Sequence, residues 1–71
     1  MDPINEEVYR FISSYIQEHG YSPSLRDIAK GCYLGRSTVI RHLDKLEAAD
    51  LITRDPNVAR SITLIKHLPE G

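Results

Sequence analysis

The sequence predicts a mainly α-helical fold with a small β-hairpin: three helices, then two short strands. Three observations carry this prediction. Apolar residues recur every three or four positions in three separate stretches, the period of a helix with one buried face. Turn chemistry separates those stretches, first at Gly20-Tyr21-Ser22-Pro23 and again around Cys32 to Gly35. After residue 50 the pattern shortens to Leu51-Ile52-Thr53-Arg54, a turn signal at Asp55-Pro56-Asn57, and the alternating run Arg60-Ser61-Ile62-Thr63-Leu64-Ile65, which together spell a hairpin.

The first helix starts at Asp2-Pro3. A carboxylate there accepts from the free N–H groups of the first turn, and proline suits the first helical position because its missing N–H would be unpaired anyway. Ile4, Val8, Phe11, Ile12, Tyr15 and Ile16 form the inward stripe, and Gly20 permits a left-handed end after about His19. Tyr21-Ser22-Pro23 redirects the chain, since the residue before a proline avoids helical angles. Ser24-Leu25-Arg26-Asp27 reads as a capping box with Asp27 in place of the usual Glu. The helix it opens turns Leu25, Ile28 and Ala29 inward and closes by Lys30 or Gly31. Cys32-Tyr33-Leu34 then forms a turn, and Gly35 takes the cap position of a third helix over about 36–49. In that helix Val39, Leu43 and Leu46 share the inward face, while Ser37, Arg41, Asp44 and Ala48 share the opposite one. Asp50 falls at a left-handed terminal position that glycine would occupy more easily. Two helices around a short turn, followed by a hairpin, define a winged helix-turn-helix with a two-stranded wing over residues 1–65. Lys66 to Gly71 has no periodicity and is read as a tail or the start of a linker.

With 71 residues, 41% apolar and 27% charged, the chain fits one small soluble domain with a modest core. No apolar run approaches the roughly 18 residues of a membrane span. The acidic N-terminus is the wrong charge for a secretory signal, so a cytoplasmic protein with no membrane association is expected. Cys32 is the only cysteine, which excludes an internal disulfide and leaves no thiolate pair for zinc; it is read as a small buried or half-buried residue. His19, His42 and His67 are widely spaced, and neither a metal nor a cofactor is expected. No serine has a recognisable base, and no phosphate-binding glycine loop occurs, so the chain is not expected to be an enzyme.

The formal net charge is −1, but its distribution is uneven. Residues 1–25 sum to −3, whereas residues 26–66 carry eight Lys or Arg against five Asp or Glu, a net +3. This excess lies on the helix-turn-helix and the wing. Arg36, Ser37, Thr38 and Arg41 give the third helix the donors a DNA major groove requires, since arginine pairs bidentately with guanine and hydroxyls reach phosphates or base edges. Ile40 flanks that face and suits either the core edge or a thymine methyl. Arg54, Asn57 and Arg60 are candidates for phosphates or the adjacent minor groove, and Lys45 is a further backbone candidate. Ser24, Arg26 and Lys30 would meet phosphates where the second helix crosses the backbone. The alternative is a winged-helix module that uses the same face to bind a protein.

Three segments occur in order: Gly20-Tyr21-Ser22-Pro23-Ser24-Leu25-Arg26-Asp27-Ile28, then Ser37-Thr38-Val39 with His42-Leu43, then Leu51-Ile52-Thr53-Arg54-Asp55-Pro56-Asn57 with Arg60-Ser61-Ile62. Together they resemble the N-terminal DNA-binding domain of LexA-type repressors, over nearly all of residues 3–65. The resemblance implies a winged helix-turn-helix repressor that binds double-stranded DNA, with Gly35, Ser37, Thr38, Ile40 and Arg41 facing the bases. It also implies a homodimer, formed through a C-terminal domain or on the DNA. The chain departs from the family pattern at Gly35-Arg36, at Ile40-Arg41 where His-Gly is often found, and at Val58-Ala59 in the wing.

Overall fold

The computed structural model describes residues 2–55 and 57–65, so Pro56 of the expected turn, His67 and the expected tail 66–71 lie outside the described residues. The elements are α1 (Pro3–His19), α2 (Leu25–Cys32), α3 (Arg36–Ala48), β1 (Ile52–Thr53) and β2 (Thr63–Leu64). The strands are antiparallel, with Ile52 opposite Leu64 and Thr53 opposite Thr63.

Local chemistry sets the ends of α1. The Asp2 carboxylate accepts from the Ile4 N–H at 2.8 Å, and Gly20, at φ 81°, donates its N–H to the Ile16 carbonyl at 2.8 Å. Val8 and Ile12 are fully buried, with Phe11 and Ile16 packed beside them. The first turn departs from the predicted stripe: Ile4 is exposed and Asn5 is buried, because the Asn5 carboxamide meets His42 of α3 at 3.0 Å.

The capping box forms as predicted: Ser24 Oγ accepts from the Asp27 N–H at 3.1 Å, and Asp27 Oδ2 accepts from the Ser24 N–H at 3.0 Å. The helix then runs past the predicted stop at Lys30 or Gly31 and ends at Cys32. Gly31 is not a terminator. A Cβ there would collide with Phe11 Cε1, so the glycine lets the ring of α1 lie directly against α2. The left-handed residue that ends the helix is Tyr33, at φ 58°. Asp50 adopts the left-handed conformation expected of it, at φ 61°. Paired bonds from the Asp50 N–H to the Glu47 carbonyl and from the Leu51 N–H to the Leu46 carbonyl, both 3.0 Å, close α3 in a Schellman motif.

The strands are shorter than the sequence pattern, and Arg60 lies outside β2 with φ 55°. Side-chain bonds replace the ladder toward the wing tip: Ser61 Oγ accepts from the Asp55 N–H and donates to the Asp55 carbonyl, both at 2.9 Å. The core joins the three helices and β1 through Val8, Ile12, Ile28, Val39, Leu43, Leu46 and Ile52, all fully buried, with Cys32 and Ile62 at its edge and Leu64 of β2 packed against it. Among the described residues, no helix is long and apolar enough to cross a membrane.

Candidate nucleic-acid interface

Helix α3 has two faces of opposite character. Val39, Leu43 and Leu46 hold it in the core, which turns Arg36, Ser37, Ile40 and Arg41 toward solvent, with Thr38 half-buried between the faces. Ile40 is 36% exposed, so it lies on the outer face rather than completing the core. Gly35 caps the helix with φ −73° and ψ 160°, makes no side-chain cap bond, and would hold a Cβ with no atom within 4 Å. Neither its backbone angles nor its neighbours call for glycine.

A groove of about 580 Å³ runs between the start of α2, the start of α3 and the wing. It brings together Ser24, Arg26, Arg36, Ile40, Arg54, Asn57 and Arg60 on a partly apolar floor that includes Leu25 and Val58. Gly35, which caps α3, and Ser37, Thr38 and Arg41 of the helix lie outside this lining. Lys30 is exposed on α2, and Lys45 lies apart from the groove, 3.9 Å from Asp2 at the start of α1. Asn57 is exposed near the wing tip, its N–H donating to Asp55 Oδ1 at 3.0 Å in an Asx turn.

The two wing arginines are engaged in ion pairs within the molecule. Arg54 is half-buried and bonds Asp44 and Glu47, on the outer face of α3, with Nε 3.2 Å from Glu47 Oε1. Arg60 Nη1 lies 3.0 Å from Asp27 Oδ2 and donates to Tyr15 Oη at 3.2 Å and to the Ser22 carbonyl at 3.1 Å, while its guanidinium sits 5.2 Å from the Tyr21 ring centre. Both charges are therefore balanced by internal carboxylates. Among the described residues, Arg26, Lys30, Arg36 and Arg41 make no ion pair, and all four lie on α2 or α3.

The titration behaviour follows from these contacts. Asp27 is held below the ordinary carboxyl value first by the backbone N–H of Ser24, then by the Ser24 side chain, Arg60 and Tyr15. Asp2 is lowered chiefly by the backbone N–H of Ile4. Burial, and then the nearby Glu7 charge, raise the Cys32 thiol above its ordinary value. Among the described residues, no three His, Cys, Asp or Glu side chains gather in a way that could hold a metal ion.

Two polar anchors escape the sequence reading. The buried Asn5–His42 pair ties the start of α1 to the middle of α3. Ser22, also buried, accepts from the Ile62 N–H at 3.1 Å and so fixes the returning arm of the wing to the loop before α2. A polar residue three positions before Val8 on an apolar stripe is the one sequence signal that marks Asn5; Ser22 carries none.

Comparison with known proteins agrees with this geometry. The family described as LexA DNA binding domain matches residues 3–61. The chain is similar to the LexA repressor of Thermosipho africanus, 51% identical over 59 residues, which cover 83% of this chain and 30% of that protein. It is similar also to the LexA repressor of Thermosipho melanesiensis, 48% identical over 61 residues covering 86% and 31%. A third, from Koribacter versatilis, is 44% identical over 66 residues covering 92% and 30%. The chain thus spans about a third of the length of these relatives.

Proposed function

The chain belongs to the LexA DNA-binding domain family, and from that premise we propose that it binds double-stranded DNA sequence-specifically, as the DNA-reading part of a LexA-like repressor. The observation that carries the reading is the set of unpaired cations on α2 and α3, in a molecule whose other described arginines and lysines are paired. Helix α3 enters the major groove by its N-terminal half, where Arg36 and Arg41 pair with guanine edges and Ser37 and Thr38 supply shorter donors. Arg26 and Lys30 meet phosphates flanking that groove, and Asn57 carries the wing tip to the backbone or the adjacent minor groove. The domain binds without catalysing and works in the cytoplasm. Two copies occupy the two halves of a symmetric site, joined through sequence beyond this domain or on the DNA itself.

Selection of the purified domain on a random duplex library, followed by a salt titration on the selected duplex, tests this. A preferred sequence is expected, with affinity falling steeply as salt rises. Arg26→Ala and Lys30→Ala should each reduce the logarithmic salt slope by about 0.9, the value for one lost phosphate contact. Arg41→Ala should relax selection at one base pair at a loss of about 1–3 kcal/mol. Failure to select any sequence, with no salt-sensitive binding to any duplex, would overturn this reading in favour of a protein-binding module.

A further inference from the structure

Among the described residues, α3 exposes one large apolar side chain, Ile40. It stands outside the core cluster in which Val39, Leu43 and Leu46 are fully buried. Its position is central to the reading surface. Arg36 lies one helical turn before it on the same groove wall, Ser37 three residues before, and Arg41 beside it. The carboxylates that follow on the outer face, Asp44 and Glu47, are occupied by Arg54. The free surface of the helix is therefore a run of cation, hydroxyl, branched aliphatic and cation, confined to its first half.

An isoleucine can neither donate to a base edge nor accept from one. Placed against a guanine or adenine edge, it would cover polar atoms without replacing the hydrogen bonds they made to water. The major groove offers one apolar feature, the methyl group on C5 of thymine. We propose that Ile40 is a specificity-determining residue that reads a pyrimidine C5-methyl group, thymine in unmodified DNA, between the base pairs contacted by Arg36 and Arg41. The inference rests on the DNA-binding reading given above.

Replacing each thymine of the selected duplex by deoxyuridine, which removes only the methyl group, tests it. Wild-type affinity is expected to fall roughly fourfold at one position of the half-site, the effect of one methyl group left uncovered. Ile40→Ala should bind the thymine and deoxyuridine duplexes equally well at that position and retain selection at its neighbours. If sequence selection persists but no deoxyuridine weakens the wild type, or if Ile40→Ala keeps the same penalty, the assignment of Ile40 is overturned while DNA recognition stands. If no sequence is selected at all, both readings fall. The scan on the wild-type domain needs no variant, so its outcome is independent of any effect of the substitution on folding.

Discussion

Asp27 serves three elements at once. It caps α2, accepts from Tyr15 on α1, and pairs with Arg60, which in turn touches Tyr21 and the Ser22 carbonyl. The joint therefore positions the returning arm of the wing. Because the folded carboxyl lies below its ordinary value of 3.8, its stabilisation is fully present above that value and is lost as pH falls through the lower, folded one. Asp27→Asn, which keeps a capping oxygen but not the charge, should lower the melting temperature at neutral pH. The difference from wild type should shrink toward zero as the pH drops below that range. In a double-mutant cycle with Arg60→Ala the loss in the double variant should fall short of the sum of the two single losses, since either substitution dissolves the same pair. The sequence named Asp27 as a cap because its partner lies three residues away. It offered no means of finding the internal contacts of Arg60, whose partners Tyr15 and Ser22 are distant along the chain.

The helix boundaries set by local chemistry were legible, those set by tertiary contact were not. Asp2, Ser24 and Gly20 act on backbone groups within four residues, and each does what its position predicts. Gly31 looks like a helix end in sequence, yet its reason is the Phe11 ring on another helix. Gly31→Ala should gain about 1 kcal/mol of helix propensity and lose about 1–3 kcal/mol as the ring is displaced. Urea unfolding should therefore show a net loss of about 1 kcal/mol. With Phe11→Ala in place, the same substitution should become stabilising, and a loss in both backgrounds would exclude the ring as its cause. The wing shows the converse. Alternation from Arg60 to Ile65 suggested a full strand, but a left-handed Arg60 and the Ser61–Asp55 bonds divert the backbone before the ladder can extend.

Across the whole molecule, α3 serves folding on one face and carries the proposed DNA-reading residues on the other. Helical periodicity made that division legible from the sequence, whereas the ion pairing that decides which cations remain available was not. Leu43→Ala should cost about 2–5 kcal/mol, a large share of the roughly 5–15 kcal/mol that holds a domain together. Arg41→Ala on the outer face should stay within about 0.5 kcal/mol of wild type. Thermal melting of the two variants checks whether the faces are separable. Gly35 stands at the end of the helix nearest the proposed bases, with ordinary backbone angles and open space where a side chain would be. A serine or aspartate would fit there and improve the cap by a few tenths of a kcal/mol. On the proposed reading, position 35 is thus a site where a protein engineer would exchange residues to retune the preferred DNA sequence while leaving the scaffold intact: a hydroxyl to add a contact, a carboxylate to repel a phosphate.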